Sequence, residues 1–117
     1  LPHQVRRLAV RAALGLARGG SNANDTSGEL MVAFSTAQVL PRDTPDGTVA
    51  VRALLDGRHG PSVFSPLFAA TVEAVEEAVV NALFTATTTV GRDGNTLHAL
   101  PIDRTLELLD RAGRVER

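Results

Sequence analysis

The feature that most constrains the fold is a change of character inside residues 24–36. Asn24, Asp25, Thr26 and Ser27 are short polar residues that favour turns, and Gly28 follows them. The next stretch, Leu30-Met31-Val32-Ala33-Phe34, is apolar at every position. An apolar run this short, bounded by turn formers, predicts a buried strand. Ser27 and Glu29 stand at its entrance, two residues apart, and side chains at i and i+2 of a strand share a face. The pattern therefore sets a hydroxyl and a carboxylate together, with Gly28 between them letting another group approach the backbone. That pair is the best candidate for chemistry in the sequence.

Helical periodicity frames this stretch. Over residues 2–18, Val5, Leu8, Ala9, Ala12 and Leu16 recur at helical spacing, while Arg7, Arg11 and Arg18 share another face. Pro2 suits a first turn, and Gly19-Gly20 predicts the end of the helix through a left-handed residue. The arginine face is read as solvated or paired with a neighbouring acidic helix. A second helix is expected over residues 67–87, with Ser65 as cap and Pro66 at its first position. Phe68, Val72, Val75, Val79, Ala82 and Ala86 form its stripe, and Glu73, Glu76 and Glu77 lie together off it. Pro101 opens a last helix bearing Ile102, Leu106 and Leu109 on one face, with Gly113 near its end and Glu107–Arg111 as an i,i+4 pair. Between these elements, residues 41–47 have turn chemistry, 48–55 alternate as a short strand, and 56–61 form a loop. Gly91-Arg92-Asp93-Gly94 predicts a turn leading into an extended segment over 95–100.

Composition narrows the function classes. With 12 basic and 13 acidic residues the net charge is −1, so no field exists to capture nucleic acid or an anionic membrane. Four Phe, without Trp or Tyr, are a poor stacking platform for single strands. The absence of cysteine excludes disulfides and thiol catalysis. No apolar run approaches a membrane span, and the arginines near the start argue against a signal peptide. Cytoplasm is the default expectation. The opening Leu1-Pro2-His3, without Met, implies a precursor cut at this point or residues preceding it.

Other constellations carry less. The loop over residues 19–28 lacks the Gly-Lys-Ser/Thr ending of a phosphate-binding loop and leads into a strand, not a helix. The three glutamates of the second helix are read as solvating it, so no metal is expected. His3, His59 and His98 are scattered without ligand spacing, and His98 is read as a half-buried histidine among Leu97, Ala99 and Leu100. No cofactor is called for.

Taken in order, these segments resemble one family. Leu1-Pro2-His3-Gln4, the arginine-spotted helix, and Ser27-Gly28-Glu29 ahead of Val32-Ala33-Phe34-Ser35-Thr36-Ala37 carry the first half of the resemblance. Ser65-Pro66-Leu67-Phe68, Ala70-Thr71-Val72-Glu73-Ala74, Glu76-Glu77-Ala78, Asn81-Ala82-Leu83, and Gly91-Arg92-Asp93-Gly94 through Ala99-Leu100-Pro101 carry the second. The chain resembles the L-aminopeptidase/D-esterases and β-peptidyl aminopeptidases, self-processing hydrolases whose nucleophile is an N-terminal serine.

The resemblance implies an α/β fold, part of an αββα sandwich of two sheets between helix layers, completed by a separate α-chain from the same precursor. Residues 1–117 would be most of the β-chain portion of that single domain. Higher oligomers of αβ units are implied, acting on small peptides, amino-acid amides or esters. Ser27 and Glu29 match the family's serine and acidic residue beside the nucleophile. The nucleophilic serine itself is expected upstream of Leu1, since the first serine here is Ser21. By itself the chain is expected to be inactive. A related acyltransferase, of the ornithine acetyltransferase type with a threonine nucleophile, and a non-catalytic homologue are the alternatives.

Overall fold

The computed structural model describes residues 1–55, 57 and 61–115, so most of the loop expected over 56–61, with His59, lies outside the described residues. The described residues combine three α-helices with a small two-stranded sheet, a mixed α and β chain. They divide into two compact units, Leu1–Glu76 and Glu77–Arg117.

In the first unit, α1 spans Pro2–Arg18, the expected bounds. Its end is a Schellman closure: Gly20, at φ 102°, donates its N–H to the Ala17 carbonyl, and Ser21 donates to Leu16 (both 3.1 Å). The left-handed residue is thus Gly20, while Gly19 stays right-handed at φ −72°. Helix α2 spans Phe64–Thr85 and starts before the expected 67. Its cap is Ser62, not Ser65: the Ser62 hydroxyl accepts the Ser65 N–H at 3.2 Å, which moves the start forward and leaves Pro66 within the first turn.

The core of this unit lies where α1 meets α2. Phe64 and Val72 are buried, and so is Gly15 of α1. A Cβ on Gly15 would stand 2.5 Å from the Val72 carbonyl oxygen and 2.7 Å from Val75 Cβ, so the two backbones approach as only glycine allows. The expected solvated arginine face turns toward this contact. Arg7 lies 4.3 Å above the Phe64 ring, Arg11 lies 4.1 Å above Phe68, and Arg18 pairs with Glu76 at 3.2 Å. Pairing with an acidic residue of α2 is thus seen for Arg18. Arg7 and Arg11 face rings because a flat guanidinium spreads over an aromatic face as well as over water, for about 0.5–2 kcal/mol each.

The strand expected on the apolar run Leu30-Met31-Val32-Ala33-Phe34 does not form. Among the described residues no backbone hydrogen bond ties 29–40 to another segment, and Leu30, Val32 and Phe34 are 99%, 89% and 83% exposed. A strand exists only against a neighbour's backbone, and an apolar run by itself does not supply one. Residues 48–55 are likewise unladdered, for a visible reason. The Gln38 carboxamide donates to the Arg52 carbonyl (2.9 Å) and accepts the Arg52 N–H (2.8 Å). Gln4 does the same at Leu54 (2.6 and 3.4 Å). Two side-chain amides thus occupy the edge where a neighbouring strand would bind.

In the second unit, β1 (Thr89–Val90) pairs antiparallel with β2 (Thr96–Leu97), in the register Thr89–Leu97 and Val90–Thr96. The expected turn joins them as a 3-10 turn at Arg92–Gly94, with Asp93 left-handed at φ 58°. Pro101 precedes α3, Ile102–Arg111, whose end repeats the Schellman pattern: Gly113 donates to Asp110 and Arg114 to Leu109. Glu107 pairs with Arg104 at 2.6 Å in place of the expected Arg111, because the i−3 guanidinium is equally within reach on a helix surface. His98 is exposed, not half-buried. It follows the exposed Leu97 just past the end of β2.

Candidate active site

The candidate pair sits where the loop after α1 enters the unladdered segment. The loop turns through Ala23, at φ 48°, and then through a β-turn in which Ser27 donates its N–H to the Asn24 carbonyl at 2.8 Å. That turn fixes the backbone at Ser27 and leaves the residue exposed. Gly28 follows with open space where a Cβ would stand, so no described group approaches the backbone there. Glu29 is exposed, and its Oε1 accepts the Ser21 hydroxyl at 3.4 Å.

Ser27 and Glu29 are therefore neighbours without a hydrogen bond between them among the described residues. Ser27 offers a hydroxyl that donates and accepts, and Glu29 offers a carboxylate that only accepts. In the sequence, Ser21 is one polar residue of the loop over 19–28. No spacing rule links a helix-terminal serine to a carboxylate eight positions on.

The histidines do not join the pair: His3 and His98 are exposed on α1 and after β2. Glu76, from the acidic trio, is engaged by Arg18. Among the described residues no cluster of three potential metal ligands forms.

A hollow of about 280 Å³ opens beside the same segment, lined among others by Val5, Ala33, Phe34, Gln38, Leu40 and Val51. Its wall is mostly apolar and includes neither Ser27 nor Glu29. The polar pair thus lies outside the apolar hollow, whose wall is shared between the start of α1 and the unladdered segments.

Comparison with known proteins supplies the class: the relatives are peptidases. The chain belongs to Peptidase family S58, whose model matches residues 1–97 and so includes Ser27, Gly28 and Glu29. It is 36% identical over 109 residues to the beta-peptidyl aminopeptidase BapA of Sphingosinicella xenopeptidilytica, covering 93% of this chain and 26% of that protein. It is 37% identical over 101 residues to BapA of Sphingosinicella microcystinivorans, covering 86% and 24%. The crystal structure of the PH0078 protein from Pyrococcus horikoshii OT3 matches with a TM-score of 0.81 at 43% identity, over 97% of this chain and 30% of that one. The chain spans about a quarter of the length of the curated relatives it matches. No described helix is long and apolar enough to cross a membrane.

Proposed function

We propose that this chain is the β-chain portion of a self-cleaving aminopeptidase that removes the N-terminal residue from small peptides, amino-acid amides or esters through an acyl-enzyme. The observation that carries this reading is the family match across residues 1–97, which holds the Ser27-Gly28-Glu29 edge within it. The curated relatives' names give the same reaction class. The nucleophile is a serine at the head of the processed β-chain, in a part of the protein outside these residues. The bare segment over 29–40 then becomes a strand of an αββα sandwich completed by the α-chain, and αβ units assemble further.

In this reading the serine hydroxyl attacks the scissile carbonyl while its own α-amine takes the proton, since a hydroxyl is a weak nucleophile until a base accepts that proton. Ser27, able to donate and accept, relays or orients the proton. Glu29 holds the amine and stabilises its positive charge as it develops. The proton passes to the leaving amine, and water then attacks the ester to release the acid and regenerate the hydroxyl. Oxyanion donors come from the α-chain.

Turnover of an amino-acid anilide by the complete protein tests the assignment. Ser27→Ala and Glu29→Ala should each lower kcat by about 100-fold or more, the range for a lost proton-transfer partner. Near wild-type turnover in both would overturn it.

A further inference from the structure

We propose that Ser21 is a positioning residue for Glu29, tying the carboxylate to the end of α1; this rests on the role given to Glu29 above. The Ser21 hydroxyl donates to Glu29 Oε1 at 3.4 Å, across eight residues of sequence. The Ser21 Oγ in turn accepts the Ala23 N–H at 3.4 Å. A carboxylate only accepts, so the hydroxyl proton is directed at Glu29 while a lone pair is held by Ala23.

Ser21 is itself anchored. Its N–H donates to the Leu16 carbonyl at 3.1 Å, the outer bond of the α1 closure. Glu29 has no comparable backbone anchor: residues 28–34 form neither helix nor strand, and no backbone hydrogen bond among the described residues ties them to another segment. The Ser21–Glu29 bond therefore carries the fixed position of a helix end over to a carboxylate that its own segment leaves loose. It engages Oε1 and leaves Oε2 for the group that Glu29 serves. An orienting bond of this kind sharpens the chemical step more than substrate capture. Because both residues are exposed, its loss leaves the helix closure intact, since that closure uses only the backbone of Ser21.

The test uses the complete protein and an amino-acid anilide, with Ser21→Ala, Ser21→Thr, Glu29→Gln and the Ser21→Ala/Glu29→Gln double variant. Ser21→Ala should lower kcat about threefold to tenfold with KM little changed, the scale of one ordinary hydrogen bond. Ser21→Thr, which keeps the hydroxyl, should restore kcat to within about twofold. In the Glu29→Gln background the alanine change should have no further effect, because the group it acts through is gone. A wild-type kcat in Ser21→Ala beside an impaired Glu29→Gln overturns the inference alone. So does an undiminished effect in the double variant, or a threonine that fails to rescue. A fully active Glu29→Gln overturns the reading of Glu29, and this inference with it.

Discussion

The contact between α1 and α2 and the segment over residues 29–40 lie in one compact unit and draw on similar apolar side chains, with opposite outcomes. At the contact, Phe64 is 3% exposed and its ring is covered by Arg7. In the segment, Phe34 is 83% exposed and Val39 93%. The difference is not hydrophobicity. A helix satisfies its own backbone, so α1 and α2 need only a matching face, and Gly15 lets the faces close. A strand needs another strand's backbone before its side chains can be buried, and none of the described chain provides it here.

The largest expected effect tests the packed side of this contrast. Phe64→Ala in the complete protein should cost about 3–5 kcal/mol in denaturant unfolding, from lost transfer and the remaining cavity. Phe34→Ala tests the bare side. If the rest of the protein covers residues 29–40, it should cost about 3 kcal/mol, close to Phe64 despite its exposure here. A loss within about 0.5 kcal/mol would instead show that face to be surface in the whole protein, and the contrast would be intrinsic to the fold. Gly15→Ala should cost about 1–3 kcal/mol, because the added methyl meets the Val72 carbonyl rather than a side chain that can swing away.

The smallest effect concerns a turn between the two extended segments. The Asp46 carboxylate accepts the Thr48 hydroxyl (2.7 Å) and N–H (3.0 Å), and these bonds hold its pKa below the ordinary aspartate value. A folded pKa below the unfolded one means that the contribution is present above the unfolded pKa and is lost as pH falls through the folded one. An NMR titration should find the Asp46 midpoint below that of a free aspartate, and Thr48→Val should raise it. An unchanged midpoint in the variant would remove the hydroxyl as its cause.

Local signals in the sequence reached the helices well. The Gly-Gly pair at 19–20, Pro101 and Gly113 act through the backbone of their own turn, and each works where it was expected. Signals that depend on a distant partner were harder to read. Arg7 and Arg11 read as a solvated face or one paired with an acidic helix because nothing in α1 says that Phe64 and Phe68 lie across from them. Residues 30–34 read as buried because apolar runs usually are, whereas burial of a strand depends on a neighbour's backbone, and no described backbone pairs with them. At the candidate site, Ser27 and Glu29 could be named from type and spacing. Ser21 could not, since its link to Glu29 closes only after α1 has ended and the loop has turned.

The glutamine carboxamides on Arg52 and Leu54 have a consequence for motion. Each is a peptide-like group carried on a rotatable stem, so this edge is closed by two latches and not by a ladder that must be unzipped. Each latch opens by rotation within one side chain, whereas a paired strand separates as a ladder. A backbone that took the place of Gln38 would exchange two hydrogen bonds for two of the same kind. The segment over 48–55 is thereby kept occupied and open to replacement at once.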